Sequence, residues 1–432
     1  ERTTAPAEVR LANLVARLAA IPDALATARQ ALHGIPQIHL ETGAAQFAGT
    51  ASLVRGGLPR LLADVPAATA DVTAVADQAV AALDDFGGWL RAEAARDVDR
   101  PSARLGRRLW EARLWHTLDT ELSAAQVLES AQRRLNDLRA QLRETAVAMV
   151  GGPLDDDTVR RAFAQCAERR PDNATIVTRA TDAFDDAANF VRQFELVSLV
   201  DDPCVVKEMP EYARGVSVAY CDPPGPLETA NVPTFYCISP TPSDWSPERV
   251  ESFYREYNDD LVRDLTIHEA MPGHYVQLAH ARRYRGTSKV RALGFSGPFV
   301  EGWACYAEEV MVDARYGGLP LRLQQLKSAL RATLNAVLDQ MVHCEDISED
   351  EAMATMTLRG FQEDGEAAGK WRRALLTSTQ LSTYFVGYSE VSAIGRARPD
   401  GVALRDWHDR MLAHGSPPPR HLRTLLGLSA NA

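Results

Sequence analysis

Residues 268–280 read HEAMPGHYVQLAH, and residues 299–309 read FVEGWACYAEE. A helical zinc motif sets two histidines at i and i+4, so that both rings face one ion. The glutamate after the first then reaches the water on that ion. Here the position four after His268 is Pro272, and the second histidine, His274, stands at i+6. On an ideal helix those two side chains point about 240° apart, at about 100° per residue. They can share an ion only if the helix distorts. Pro272 lacks an amide hydrogen and clashes with the carbonyl of His268, while Gly273 tolerates unusual dihedrals. A kink or bulge at Met271–Pro272–Gly273 is therefore expected, returning His274 to the face of His268. Taken alone, the segment reads more plainly as a broken helix with one histidine at its end and a second, satisfied histidine beyond.

The second segment changes that balance. Zinc sites of the gluzincin type take their third ligand from a glutamate on a downstream helix. Glu301 lies 33 residues after His268 (301 − 268), room for one connection and the start of another helix. Gly302, Trp303 and the apolar run after them argue that Glu301 is buried and not part of an exposed acidic face. Glu308, at i+7, shares a face with Glu301 and is placed to orient a ligand histidine from behind. For Glu308 and Glu309 a solvated acidic face is an equal alternative.

Around these segments the chain reads as mainly helical. Residues 8–150 carry helical apolar spacing nearly throughout, with breaks expected at Pro22 and at Gly87–Gly88. Ser123 is an expected N-cap. Between about 200 and 240, CVVKEM (204–209), GVSVAYC (215–221) and VPTFYCIS (232–239) are short and rich in Val, Tyr and Phe, and turn residues separate them. They predict a small antiparallel sheet. Helical pattern returns at Pro247 and runs to the end. The expected architecture is a large helical body with this sheet beside the metal site. Residues 1–150 form an N-terminal wall and residues 151–432 the metal-site region, the two making one cleft-forming unit.

Composition narrows the partners. The 432 residues are 46% hydrophobic and 24% charged, with net charge −11 and pI near 5.5. That balance argues against nucleic acid or an anionic membrane as the main partner. The six cysteines form no CxxC pair and no structural-zinc spacing. They read as reduced thiols of a cytoplasmic protein. No run of about 18 apolar residues is found, so no transmembrane helix is expected. The first residues, ERTTAPAEVR, lack the pattern of a secretory leader and carry no initiator Met, so residues are expected to be missing upstream.

HEAMPGHYVQ followed by FVEGWACYAEE resembles the large bacterial family of unknown function numbered 885, whose hallmark is HExxPGHxxQ followed by EGWAxYxE. DQMVH (Asp339–His343) and QLSTYFVG (Gln380–Gly387) resemble that family's DxxxH and QxxxYxxG segments. The Tyr-Cys-Asp-Pro-Pro run at 220–224 and the helices near Gly106 are similar more loosely. The resemblance spans roughly residues 100–400, and its two central motifs are the specific ones. The family's N-terminal segment is expected to be absent here. The resemblance implies kinship in fold with carboxypeptidase Taq-type metallopeptidases, which are helical zincins with a small sheet beside the metal. It therefore implies a peptidase-like hydrolase, although fold similarity does not fix a substrate.

The expected chemistry follows. Zinc held by His268, His274 and Glu301 keeps a fourth position for water, and Glu269 takes the water's proton and passes it to the leaving amine. The developing oxyanion needs a donor, for which Tyr384 is the first candidate and His343 the second, both on motif position alone. An edge strand within residues 213–239 could pair with an extended peptide. Arg214, Arg331, Arg372 or Arg373 could bind a substrate carboxylate. The expected partner is a peptide or small amide substrate. A metal-dependent amidase acting on a small metabolite, or a metal-free scaffold keeping the fold, are the alternatives. The presence of Glu269 beside a ligand histidine favours catalysis over the scaffold.

Overall fold

The computed structural model describes residues 5–428 apart from 64, 66–68, 215–216, 285 and 287. The chain divides into two compact units after Arg104. The first holds three long helices, α1 (Ala7–Ala31), α2 (Gln37–Ala63) and α3 (Thr69–Ala94). Helix α3 packs on both others. Leu40, Ala44, Phe86 and Leu90 form one small core, and Leu18, Ala76 and Ala79 another. The breaks expected at Pro22 and Gly87–Gly88 do not occur, since both α1 and α3 run through. Gly87 instead marks a close crossing. A Cβ there would lie 3.5 Å from the backbone oxygen of Ala44 on α2. Helix α1 is, by length and composition, apolar enough to cross a membrane.

The second unit contains α4 (Arg107–Leu118), α5 (Ala124–Val150), α6 (Asp156–Ala167) and α7 (Ile176–Gln193). The strands β1 (Cys204–Glu208), β2 (Ala219–Asp222) and β3 (Thr234–Ile238) follow. Then come α8 (Pro247–Glu256), α9 (Asp259–Glu269), α10 (His274–Arg283), α11 (Lys289–Leu293), α12 (Gly297–Asp313) and α13 (Gly318–Cys344). The chain ends in α14 (Glu349–Ala354), α15 (Asp364–Leu376), α16 (Ser382–Arg396), α17 (Leu404–Leu412) and α18 (Pro419–Leu425). The mainly helical class is as the sequence predicts.

The division at 104 differs from the expected boundary at 150, and the reason is packing. Val127, Leu135, Leu138 and Leu142 of α5 share one core with Leu323, Leu326, Leu330 and Leu334 of α13. Helix α5 thus belongs to the body that carries the site. Its N-terminus is closed by a capping box between Ser123 and Gln126, as the Ser123 reading anticipates.

The sheet is mixed, not antiparallel. Its order is β1–β3–β2, with β3 parallel to β1 and antiparallel to β2. The late strand β3 inserts between the two earlier ones, so β1 and β2 never pair as a hairpin. Part of the expected middle strand, Gly215 and Val216, lies outside the described residues. Every residue of β3 is buried. The Tyr236 hydroxyl lies 3.1 Å from Thr266 Oγ1, which ties β3 to α9.

Candidate metal centre

Helix α9 starts at Asn258, whose side chain accepts from the amides of Asp260 and Leu261, and it ends at Glu269. Helix α10 begins at His274. The four residues between them are a clean break and not a kink within one helix. Met271 N–H donates back to Thr266 O at 3.0 Å and Gly273 N–H to Ile267 O at 2.9 Å, so the turn coils tightly over the end of α9. A Cβ on Gly273 would lie 1.9 Å from His268 O, so no other residue fits this turn. Trp303 Nε1 donates to Pro272 O at 2.9 Å and fixes the break against α12. Gln277 Nε2 donates to Ser416 Oγ at 2.9 Å and anchors α10.

The break brings the His268 and His274 rings to a centroid distance of 4.7 Å, edge to face. Glu301, from the first turns of α12, completes the set. Its Oε2 lies 3.5 Å from His268 Nε2 and 3.6 Å from His274 Nε2. Zinc bonds of about 2.0–2.1 Å in tetrahedral array separate ligand atoms by roughly 3.3 Å. Both distances from Glu301 Oε2 are thus within a few tenths of an ångström of what one ion needs, and all three ligand atoms lie within 4.8 Å of one another. Glu301 Oε2 is buried and has no hydrogen-bond partner. A buried carboxylate oxygen is costly in that state, and a cation at the centre of the triangle removes the cost. The residues present therefore fit a zinc-sized cation. Burial works against ionising Glu301, but the two imidazoles outweigh it and hold the carboxyl well below its usual range.

Behind His268 stands Glu308. Its Oε1 lies 2.6 Å from His268 Nδ1. An imidazole that donates there presents its Nε2 lone pair towards Glu301 and His274, which is the role foreseen for Glu308. Burial resists charging His268, yet Cys305, Glu301 and Glu308 together raise it well above the usual histidine value.

Two neighbours of this histidine were not anticipated. Asp264, one turn before His268 on α9, accepts from Ser328 Oγ at 2.7 Å. Burial and then the Glu308 charge push its carboxyl well up. Burial likewise raises Glu308. The Cys305 thiol, one turn after Glu301, touches His268 and is pushed up to about 12, first by burial and then by Glu308. His268, Cys305 and Glu308 place ligand atoms within 4.8 Å of one another, as do His268, His274 and Glu301. Their i−4 and i+4 positions relative to His268 and Glu301 were the available signal.

Tyr384 lies on α16, which nearly touches α12, the helix that carries Glu301. A Cβ on Gly302 would lie 2.3 Å from Gly387 O, and one on Gly387 would lie 2.1 Å from Pro298 O. These two glycines, in EGWA and in YFVG, let the backbones meet. The phenol is raised by burial and then by the Glu301 charge. It thus keeps its proton to donate.

His343 is not at the centre. Its Nε2 donates to Thr377 O at 2.8 Å and Ala374 O at 3.0 Å, and its Nδ1 accepts from Leu105 N at 3.3 Å. Both ring nitrogens are occupied by backbone, so it has no proton for an oxyanion. Asp339 accepts from Trp110 Nε1, the amides of Thr379 and Ser382, and Ser382 Oγ. The DQMVH segment is a structural knot. Glu309, beside Glu308, faces away and binds Arg134, Arg396 and the Tyr388 hydroxyl. Arg214 is held by Glu208, Glu211 and Met209 O in a turn. Burial, and after it the Glu269 charge, pushes the Cys221 thiol on β2 up, and β2 is an edge strand packed beside α9. None of the six cysteines forms a disulfide.

Among solved structures the chain is similar to a candidate lipoprotein of unknown function from Shewanella oneidensis. The two are 29% identical, with a TM-score of 0.79 over 98% of this chain and 79% of that one. A candidate lipoprotein from Colwellia psychrerythraea shares the fold at 16% identity, with a TM-score of 0.80 over 97% of this chain and 76% of that one. No curated protein matches the chain. The match that covers nearly the whole sequence is at the level of the family: over residues 1–426 the chain belongs to the bacterial proteins of unknown function grouped as DUF885.

Proposed function

We propose that this protein is a zinc-dependent hydrolase of the gluzincin type that cleaves peptide or small amide bonds. The observation that carries the reading is the convergence of His268 Nε2, His274 Nε2 and the orphaned Glu301 Oε2, with Glu269 adjoining the first histidine. Bound there, zinc supplies a Lewis acid that polarises a carbonyl and lowers the pKa of water. The protein's own residues do the rest. Glu269, at the last turn of α9, takes a proton and returns it to the leaving amine. Tyr384 donates its hydroxyl proton to the oxygen on which charge develops. Glu308 holds His268 in one tautomer and orientation. The β2 edge offers backbone to an extended substrate running past Glu269. A relation to the carboxypeptidase Taq-type zincins is consistent with the helical body and adjoining small sheet.

The similar structures bear on location. Both are described as candidate lipoproteins, which supports a cell-envelope location over the cytoplasmic one that the cysteines suggested. The apolar α1 agrees with that.

Metal analysis of the purified protein together with the Glu269→Gln variant tests the proposal. Zinc near one per chain in both, with turnover only in the parent, is expected. Zinc-free protein that recovers no metal on dialysis against it would sink the reading.

A further inference from the structure

The two helices that carry His274 and Glu301 are gripped together from one distant residue. Ser416, in the connection between α17 and α18, is buried and does this with both of its polar groups. Its Oγ accepts from Gln277 Nε2 at 2.9 Å, and Gln277 stands three residues after His274 on α10 (277 − 274). Its carbonyl oxygen accepts from Ser296 N–H at 3.0 Å. Ser296 caps α12 by accepting from Phe299 N–H at 3.3 Å, five residues before Glu301 (301 − 296). Phe295 and Ser416 form a short parallel bridge beside that contact. One residue thus ties the start of α10 to the start of α12, the two places from which the second and third ligands project.

A second grip reaches the turn between the two histidines. His408 on α17 is buried and uses both ring nitrogens. Its Nδ1 lies 2.6 Å from Leu196 O, and a carbonyl only accepts, so Nδ1 carries the proton. Nε2 then accepts from the Tyr306 hydroxyl at 3.0 Å. Burial draws the pKa of His408 down to about 4, which keeps the ring neutral and this arrangement intact. The imidazole packs edge to face on Trp303, with centroids 5.5 Å apart. Trp303 in turn donates to Pro272 O. Neither Ser416 nor His408 belongs to the ligand set, and each acts through another residue.

We propose that Ser416 and His408 are positioning residues of the metal centre. Together they hold α10, α12 and the Met271–Pro272–Gly273 turn in the register that lets His274 and Glu301 share one ion with His268. This rests on the zinc-site reading above. The need for such a clamp is specific to this centre. Helix α9 ends at Glu269 and α10 begins at His274, so no continuous helix fixes the second histidine against the first, and Glu301 arrives from a third helix. Ligands must be held to about half an ångström if they are to meet one ion. Ser416 spans α10 and α12 with two bonds from one residue, so neither helix can slide past the other without breaking one of them. His408 and Tyr306 fix the Trp303 ring, whose one polar atom holds the turn.

The test follows the release of zinc from the full chain to an excess of chromogenic chelator, beside the melting temperature. Ser416→Ala removes the side-chain bond to Gln277 and keeps the carbonyl. It is expected to release zinc roughly three- to tenfold faster, the worth of one buried hydrogen bond. Ser416→Thr and Ser416→Val are alike in shape and differ in the hydroxyl, so release should be faster in Val than in Thr. Tyr306→Phe deletes only the hydroxyl bonded to His408 and should speed release by a similar factor. Asp339→Ala controls for general loosening, since it destabilises the fold away from the centre. Equal release from the Thr and Val variants, or release from Asp339→Ala as fast as from Ser416→Ala, overturns the inference and leaves the hydrolase reading standing. If the parent binds no zinc, the hydrolase reading fails, and amide exchange of Met271 and Gly273 in the metal-free chain decides the inference. Faster exchange in Ser416→Ala and Tyr306→Phe than in Asp339→Ala upholds the clamp, and equal exchange refutes it.

Discussion

Two buried polar clusters in the second unit look alike as sequence and differ as chemistry. Around His268, three ligand atoms converge and the carboxylate oxygen among them has no partner. Around His343, one histidine and one aspartate are surrounded by donors and acceptors that use every ring nitrogen and both carboxylate oxygens. Both lie in motif-like segments with acid and imidazole near each other. The difference is spare bonding capacity. A cluster that satisfies itself holds helices together, while one whose ligand atoms converge and include an unpartnered carboxylate oxygen has bonding capacity to spare.

The sharpest way to break this comparison is Glu269→Gln. The side chain keeps its size and loses only its basicity, so zinc content should hold while turnover falls by roughly 10²–10⁴. An isotopic or colorimetric zinc count beside a rate measurement checks both. Full activity would remove Glu269 as the base. Asp339→Ala probes the other cluster. It strands Trp110 Nε1, two buried amides and the Ser382 hydroxyl, and should cost about 3 kcal/mol or more in denaturant unfolding. Zinc bound per folded chain should not change. A loss of zinc affinity without a loss of stability would erase the distinction between the two clusters.

The sequence displayed both clusters, but the role of only the first could be read from spacing. His268, His274 and Glu301 could be named because metal ligation has its own spacing grammar, and the defect in that grammar pointed to Pro272–Gly273. Gly273 was readable as a turn residue, but the collision of any Cβ with His268 O is visible only in three dimensions. The contact of Gly302 with Gly387 brings together helices 85 residues apart (387 − 302), and nothing local announces it. The same holds for β3, which inserts between β1 and β2 and makes the sheet mixed. Strand propensity identifies strands and is silent on which neighbours they choose. His343 was misplaced because motif position was the sole argument for it. Its real partners are the backbone carbonyls of Ala374 and Thr377 and the amide of Leu105, which no side-chain pattern encodes.

Glu308→Gln sharpens the comparison from within the metal cluster. The amide can still meet Nδ1 but no longer supplies charge, so zinc affinity should fall about 10–100-fold while the fold persists. Competition with a chelator of known affinity measures it. Unchanged affinity would show that Glu308 serves packing alone.

The smallest effect separates two adjacent residues that the sequence could not tell apart. Glu309 follows Glu308 in the same helix, yet its carboxylate turns outward to Arg134 and Arg396. Both cations keep the Tyr388 hydroxyl as an alternative partner. Ion pairs in such partly solvated positions contribute about 1 kcal/mol or less, because water and salt compete for both members. Glu309→Gln should therefore shift stability by no more than that and should leave zinc affinity where it was. Measured beside Glu308→Gln, it isolates the 2.6 Å contact with His268 as the one feature that differs. If the two variants lost zinc equally, the outward carboxylate would act on the centre through the field of the helix, and the contact would carry no special weight.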